Sequence, residues 1–132
     1  MVTEFWCHNT IKLKCCVISD THMYHNTIKL KGGDYLFHAG DLSWLGQPDE
    51  INNFMEWFSV QPYTHKVFIA GNHDFGFEPI GTGVECDPNG SFLFRGRELK
   101  KGLNVEYRKT AVSLGLTYLN QEFVELDGLK IY

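Results

Sequence analysis

The chain has 132 residues, of which 43% are hydrophobic and 21% charged, and this composition predicts one folded domain over residues 1–132 rather than a disordered segment. The net charge of -4 argues against broad affinity for nucleic acid, which depends on lysine and arginine neutralising phosphates. The sequence has neither the roughly 18-residue apolar run of a membrane-spanning helix nor a secretory signal, so no membrane partner and a cytoplasmic location are expected.

Three apolar runs predict three buried strands, and each run ends in polar residues. The strands are expected over residues 15–19, 35–39 and 66–70. In a parallel α/β sheet, ligands bind in the crevice outside the carboxyl ends of the strands, so the polar tips are expected to converge there. The three tips are Asp20-Thr21-His22, Gly40-Asp41 and Gly71-Asn72-His73-Asp74.

A helix is predicted over Pro48 to Ser59, between the second and third strands. Proline suits the first helical position, and Asp49 and Glu50 lie in the first turn, where the helix dipole favours them. Apolar residues follow at the spacing of one helical face, which is interpreted as a packing surface: Ile51, Phe54, Met55 and Phe58. Strand, helix and strand together predict a βαβ unit.

The second half of the chain begins with a stretch rich in glycine and proline. Residues 75–104 are interpreted as a functional loop or lid, because a long structureless run is uncommon within a compact domain. A helix is predicted over 105–114 and a short strand at 118–119. Two apolar segments flank Asp127-Gly128, which predicts a tight β-hairpin over residues 123–132.

The cysteines and three of the histidines are not assigned to a site. Cys15 and Cys16 are adjacent in a strand and should point to opposite faces, and all four cysteines are interpreted as reduced thiols. His38 lies inside an apolar strand and is interpreted as a hydrogen-bonded core or edge histidine. His25 is interpreted as a loop residue in preference to lining the mouth of a site, and His65 carries no assigned role.

The polar tips carry the residue types of a metal site. Asp20 and His22, two residues apart on one loop, can both face one cation through an oxygen and a ring nitrogen. The carboxylate of Asp41 can bridge two metal ions, and the amide oxygen of Asn72 can ligate one. His73 can protonate a leaving group or stabilise negative charge.

Asp74 has two open interpretations at this stage. It either orients the neighbouring His73 ring or caps its own loop. The mixed oxygen and nitrogen donors of the tips suit Mn, Fe or Zn better than Ca.

In this order and at the ends of strands, the three tips resemble the first three motifs of the calcineurin-like metallophosphoesterases, in the branch of the metallophosphoesterase-domain proteins. The resemblance covers residues 17–77 and, more loosely, 116–132. It implies an α/β fold that is the N-terminal portion of a four-layer α/β/β/α sandwich, with a βαβ unit and a C-terminal β-hairpin.

The resemblance also implies a reaction and a role for each residue. Asp20 and His22 would hold the first of two divalent metal ions, Asp41 would bridge them, and Asn72 would hold the second. His73 would be catalytic, acting near the leaving-group oxygen. A hydroxide activated by the two ions would attack the phosphorus of a phosphomonoester or phosphodiester, small nucleotides such as cyclic nucleotides included.

The chain departs from the family in its histidines. Family members carry further histidine motifs downstream, whereas none of the six histidines here lies after His73. The chain is therefore interpreted as a truncated N-terminal portion whose incomplete sheet favours self-association. The alternative is an inactive remnant that binds metal weakly or serves as an interaction module.

Overall fold

The computed structural model describes residues 2–7, 11–77, 91–94, 97–100 and 102–132. Within these ranges the chain alternates strands and helices in an α/β arrangement. The strands are β1 Val2–Cys7, β2 Ile11–Ile18, β3 Gly33–His38, β4 Tyr63–Phe68, β5 Ser91–Phe94, β6 Arg97–Lys100, β7 Thr117–Tyr118, β8 Val124–Leu126 and β9 Leu129–Ile131. The α-helices are α1 Pro48–Ser59 and α2 Leu103–Ser113, and 3-10 turns lie at Tyr24–Thr27 and Phe75–Phe77.

The central sheet has the strand order β1-β2-β3-β4-β7. Strand β1 is antiparallel to β2, and the other four strands are parallel. Ile18 pairs with His38, which pairs with Phe68, so β2, β3 and β4 end level with one another. The prediction that the three polar tips follow strands that end at one edge is therefore confirmed, as is the α/β fold class.

Helix α1 has the bounds that the sequence predicts. Pro48 occupies the first turn, and the side chains of Gln47 and Glu50 form a capping box that satisfies backbone N–H groups at the helix start. The apolar face is fully buried against the sheet through Ile51, Phe54, Met55 and Phe58. Burial of each such side chain contributes about 2 kcal/mol to the free energy of unfolding, which fixes the helix beside the edge that carries the tips.

Helix α2 starts two residues earlier than the sequence predicts. Gly102 precedes it with a φ of +88°, a left-handed conformation that glycine adopts readily and that allows Leu103 to begin the helix. Tyr107 of this helix is buried and donates a hydrogen bond from its hydroxyl to the Gly46 carbonyl oxygen at 2.9 Å. That bond ties α2 to the segment between β3 and α1.

The predicted C-terminal hairpin is confirmed as the pair β8 and β9. Its turn residues Asp127 and Gly128 have φ values of +50° and +78°, as a tight two-residue turn requires. The hairpin is fastened to the sheet by the Tyr35 hydroxyl, which donates to the Leu126 carbonyl oxygen at 2.8 Å, and by His65, which lies 2.6 Å from the Asp127 carboxylate. Because side chains alternate along a strand, Tyr35 and His65 lie on the face of the sheet opposite the one that packs against α1.

The predicted loop or lid over residues 75–104 lies partly outside the described residues, which omit 78–90, 95–96 and 101. The described part contains the 3-10 turn Phe75–Phe77, the antiparallel pair of β5 and β6, and the start of α2. A lid function for this segment stays a prediction.

Among the residues that the structure describes, neither α-helix has the length and apolar character needed to span a membrane.

Candidate metal centre

The first two polar tips are held against each other by backbone hydrogen bonds. The Asp20 N–H donates to the Gly40 carbonyl oxygen at 3.0 Å, and the His22 N–H donates to the Asp41 carbonyl oxygen at 3.1 Å. Asp20, His22 and Asp41 have φ values of +55°, +39° and +56°, a left-handed region that side chains other than glycine rarely adopt. Such conformations persist where surrounding contacts impose them, and they often mark functional sites.

The side chains of Asp20, His22 and Asp41 come together at this edge. Each offers one potential ligand atom, and these atoms lie within 4.8 Å of one another. His22 Nε2 is 3.8 Å from Asp41 Oδ2. Asp20 is exposed and the other two are partly buried, so a cation at this point is reachable from solvent.

The orientation of His22 is fixed by its other ring nitrogen. His22 Nδ1 lies 2.9 Å from the Ser43 carbonyl oxygen, and because a carbonyl can only accept, Nδ1 carries the proton. The lone pair is then on Nε2, which faces Asp41. A metal-ligating histidine commonly donates its second ring N–H to a carbonyl in this way.

The Asp41 carboxylate connects the second tip to the third. Its Oδ1 accepts a hydrogen bond from the His73 backbone N–H at 3.0 Å, while Oδ2 faces His22. The third tip approaches so closely that a Cβ added at Gly71 would overlap the Asp41 carboxylate and backbone nitrogen. This contact is what requires glycine at position 71.

His73 lies next to the cluster. Its ring meets the His22 ring edge-on, with 4.8 Å between the centroids. His73 Nδ1 lies 3.0 Å from the Trp44 carbonyl oxygen and so carries the proton, which leaves Nε2 as the uncommitted ring nitrogen. The ring is thus held where it can act on an atom bound beside His22.

Asn72 is on the same loop as His73 and is exposed. It is one of the residues that line a cleft of about 620 Å³. The cleft is lined by Ile69, Ala70, Gly71, Asn72, Asp74, Phe77, Tyr118, Leu119, Asn120 and Gln121. The structure therefore brings Asp20, His22, Asp41 and His73 together, and the role of Asn72, the neighbour of His73 on the same loop, stays a prediction.

Asp74 braces the loops of the second and third tips. Its carboxylate accepts hydrogen bonds from the Gly71 and Leu42 N–H groups at 2.8 and 3.1 Å, and from the Ser43 N–H and hydroxyl at 2.9 and 2.6 Å. Burial raises the pKa of this carboxyl, although the four hydrogen bonds act to lower it. Of the two interpretations from the sequence, the structure supports the loop cap. The Asp74 carboxylate caps its own loop through Gly71 and also binds the neighbouring loop through Leu42 and Ser43.

His38 supports the first tip from beneath. It is 1% exposed, its Nδ1 accepts the Gly40 N–H at 3.2 Å, and its Nε2 lies 3.0 Å from the Thr21 hydroxyl. Because Nδ1 accepts, Nε2 carries the proton and donates to Thr21, the residue between Asp20 and His22. The interpretation of His38 as a hydrogen-bonded core histidine is confirmed.

We expect His38 to make the protein sensitive to mild acid. Burial, with a smaller contribution from His25, lowers the pKa of His38 from 6.5 to about 4. The unfolded chain therefore takes up a proton between pH 6.5 and 4 that the folded chain does not, and stability that is complete above pH 6.5 is lost as the pH falls through this window. The loss should approach about 3 kcal/mol.

Urea unfolding at pH 4 to 7 measures this effect as the difference between the wild-type chain and His38→Gln. The carboxylates that also titrate in this range are common to both proteins and cancel in the comparison. If the free energies of unfolding of the two proteins change with pH in parallel between pH 6.5 and 4, the lowered pKa of His38 is contradicted.

Two histidines lie outside the cluster, His25 and His65. His25 lies in the segment between β2 and β3, as interpreted, and its side chain is fully buried beside Phe54 and Trp57, with Nε2 2.8 Å from Asn53 Oδ1. Its short loop folds down onto α1, a long-range contact that local sequence does not encode. His65, which had no assigned role, contacts the hairpin turn.

The cysteines of β2 behave as predicted. Cys15 and Cys16 are free thiols, both buried, at successive positions of the strand. The side chains of Cys7, His8 and Cys86 lie outside the described residues.

The donor atoms of the cluster fit a divalent metal ion. Two carboxylates and one imidazole, with the imidazole lone pair turned toward a carboxylate, form a mixed oxygen and nitrogen set. Such a set suits borderline cations such as Mn, Fe and Zn. Sequence reasoning identified these side chains, but it missed Thr21, Ser43 and Trp44, whose polar atoms orient the histidine rings or their loops.

Comparison with known proteins identifies relatives of this chain. The family model for calcineurin-like phosphoesterase matches residues 13–129. Metallophosphoesterase domain-containing protein 1 of Homo sapiens is 46% identical over 115 residues, which cover 87% of this chain and 35% of that protein; the Mus musculus protein of the same name has the same values. A UPF0046 protein of Caenorhabditis elegans is 32% identical over 120 residues, or 91% of this chain and 38% of its own length. The chain thus spans just over a third of the length of these relatives.

Proposed function

The chain belongs to the calcineurin-like phosphoesterase family, and from this premise we propose that it contributes metal-binding residues to a phosphoesterase that hydrolyses phosphomonoesters or phosphodiesters. The observation that carries the proposal is the group formed by Asp20, His22 and Asp41, whose ligand atoms lie within 4.8 Å of one another. The hydrogen bond from His22 Nδ1 to the Ser43 carbonyl supports it, since that bond leaves Nε2 free to ligate.

We propose that this group holds one of two divalent cations and that Asp41 is shared between them. The two oxygens of Asp41 are directed differently: Oδ2 faces His22, and Oδ1 faces the loop that carries Asn72 and His73. Asn72 would offer its amide oxygen to the second cation. Bound cations would supply charge stabilisation to the phosphoryl oxygens and lower the pKa of a water molecule.

His73 would assist departure of the leaving group. The Trp44 carbonyl holds the proton of the ring on Nδ1, so Nε2 is the atom free to face the ester oxygen. Once protonated, Nε2 can donate to the oxygen as negative charge develops on it. The 4.8 Å between the His73 and His22 rings supports this role, because the ester would be bound beside His22.

The proposal is tested by hydrolysis of bis(p-nitrophenyl) phosphate with and without added Mn²⁺. We expect Mn²⁺-dependent release of p-nitrophenolate by the wild-type chain. Asp41→Asn preserves the size of the side chain and its acceptor for the His73 N–H, but it removes the charge. It should lower kcat/KM by about 100-fold.

The matched control is Glu125→Gln, which removes one exposed carboxylate of the hairpin and should leave the rate unchanged. Absence of activity in a folded wild-type chain that binds Mn²⁺ would favour the alternative, an inactive remnant. Equal rates for wild type and Asp41→Asn would contradict the proposed site.

A further inference from the structure

A seven-residue sequence occurs twice in the chain and takes part in two different structures. Residues 8–14 have the sequence HNTIKLK, and residues 25–31 repeat it without change. In the first copy, residues 11–14 form the start of β2. In the second copy, residues 28–31 follow the 3-10 turn Tyr24–Thr27 and belong to none of the described strands. The same four residues thus pair in a sheet at one place and not at the other.

The partner of residues 11–14 in the sheet is β1. Pairing between β2 and β3 begins at Cys15, opposite Tyr35, so β1 is the strand that pairs with residues 11–14 in the part of the sheet that the structure describes. The antiparallel register places Cys7 opposite Ile11, Trp6 opposite Lys12, Phe5 opposite Leu13 and Glu4 opposite Lys14. This register matches apolar residues at two positions and opposite charges at a third, and both kinds of cross-strand pair stabilise a sheet.

Residues 28–31 have the properties of an unpaired edge strand. Ile28 has extended backbone angles, with a φ of -86° and a ψ of 127°. Ile28 and Leu30 are partly buried, and Leu30 packs against the core, whereas Lys29 and Lys31 are exposed. Within the described ranges, the N–H groups of Lys29, Leu30 and Lys31 donate to no protein acceptor. An extended segment with unpaired N–H groups and alternating exposure can accept another strand.

We propose that residues 28–31 of one copy of the chain pair with β1 of a second copy. β1 is the outermost strand of the central sheet, so one of its two edges has no partner among the described strands. The register of β1 on β2, transferred to the second copy of the repeat, places Glu4 opposite Lys31 and Phe5 opposite Leu30. No existing strand pair has to break. This self-association lies outside the proposed hydrolysis and does not depend on it.

β1 suits residues 28–31 better than a second copy of residues 28–31 does. An antiparallel self-pair centred on Lys29 or on Leu30 places lysine opposite lysine, and like charges directly opposite destabilise a sheet. A self-pair centred between these two residues places each lysine opposite an apolar residue. Glu4 of β1 instead offers the opposite charge at the position of Lys31.

Sedimentation equilibrium over a range of protein concentrations tests the proposal. We expect the wild-type chain to associate reversibly. Lys31→Glu should weaken the association by about tenfold, because residue 31 would then face Glu4 with the same charge. Glu4→Lys, Lys14→Glu and Lys31→Glu together reverse all three charges, so that the pairs within and between copies are opposite again, and this triple variant should associate like wild type. Urea unfolding of each variant shows that it is folded.

Lys109→Glu is the matched control, since Lys109 is exposed on α2 and the substitution makes the same change in net charge. Its association should equal that of the wild-type chain. The proposal would be overturned by a wild-type chain that sediments as a monomer at every concentration, by equal association of wild type and Lys31→Glu, by an equal loss in Lys109→Glu, or by a triple variant as weak as Lys31→Glu.

Discussion

Replacement of Asp74 by asparagine should lower the free energy of unfolding by about 3 kcal/mol, although its hydrogen-bond partners Gly71, Leu42 and Ser43 are not proposed ligands of the metal. The carboxylate is 1% exposed and accepts four hydrogen bonds through its two oxygens. Asparagine keeps one oxygen and presents an amide N–H₂ in place of the other. At least one pair of donors then loses its acceptor in the interior, where no water replaces it.

Urea denaturation at pH 7 measures this change, and Asp34→Asn is its control. Asp34 also accepts a backbone hydrogen bond, from the Lys14 N–H at 2.7 Å, but it is partly exposed, so water can replace the lost acceptor. Its loss should cost less than about 1 kcal/mol. If the two substitutions lower the free energy of unfolding equally, the buried hydrogen bonds of Asp74 stabilise the fold no more than an exposed one does.

Gly71→Ala should abolish tight metal binding without changing any proposed ligand. An added Cβ would overlap the Asp41 carboxylate and its backbone nitrogen, and the backbone nitrogen cannot retreat without moving the loop. Asp41 would therefore turn away from His22 Nε2, which lies 3.8 Å from it in the native arrangement. Affinity for Mn²⁺ in a calorimetric titration should fall by about 100-fold.

Gly128→Ala controls for the general cost of replacing a glycine. Gly128 lies in the hairpin turn with a φ of +78°, and a Cβ there meets nothing within 4 Å. Alanine should destabilise the fold by about 1 kcal/mol and leave Mn²⁺ affinity unchanged. Undiminished Mn²⁺ affinity in Gly71→Ala would mean that Asp41 does not take part in binding.

The elements that carry the site can be predicted from the sequence because each has a signal within its own residues. An apolar run followed by polar residues marks the ends of β2, β3 and β4, and the position of α1 follows from Pro48 and its apolar periodicity. The hairpin turn at Asp127-Gly128 has equally local evidence. Each of these elements is present in the structure.

The features that the sequence does not predict depend on contacts between distant residues. The partners of Asp74 include Leu42 and Ser43, 32 and 31 residues away, and no spacing rule connects them. The burial of His25 requires its loop to fold onto α1, and the exposure of Trp44 depends on which rings surround it. The start of α2 depends on the left-handed conformation of Gly102, which a glycine permits but does not require.

The proposed function requires one cation bound among Asp20, His22 and Asp41, and paramagnetic broadening of amide NMR signals by Mn²⁺ locates that cation directly. At low Mn²⁺ we expect broadening first at residues 20–22, 40–41 and 71–73, and loss of this pattern in Asp41→Asn. Broadening centred on other carboxylates, such as Asp127 in the hairpin turn or the acidic first turn of α1, would contradict it.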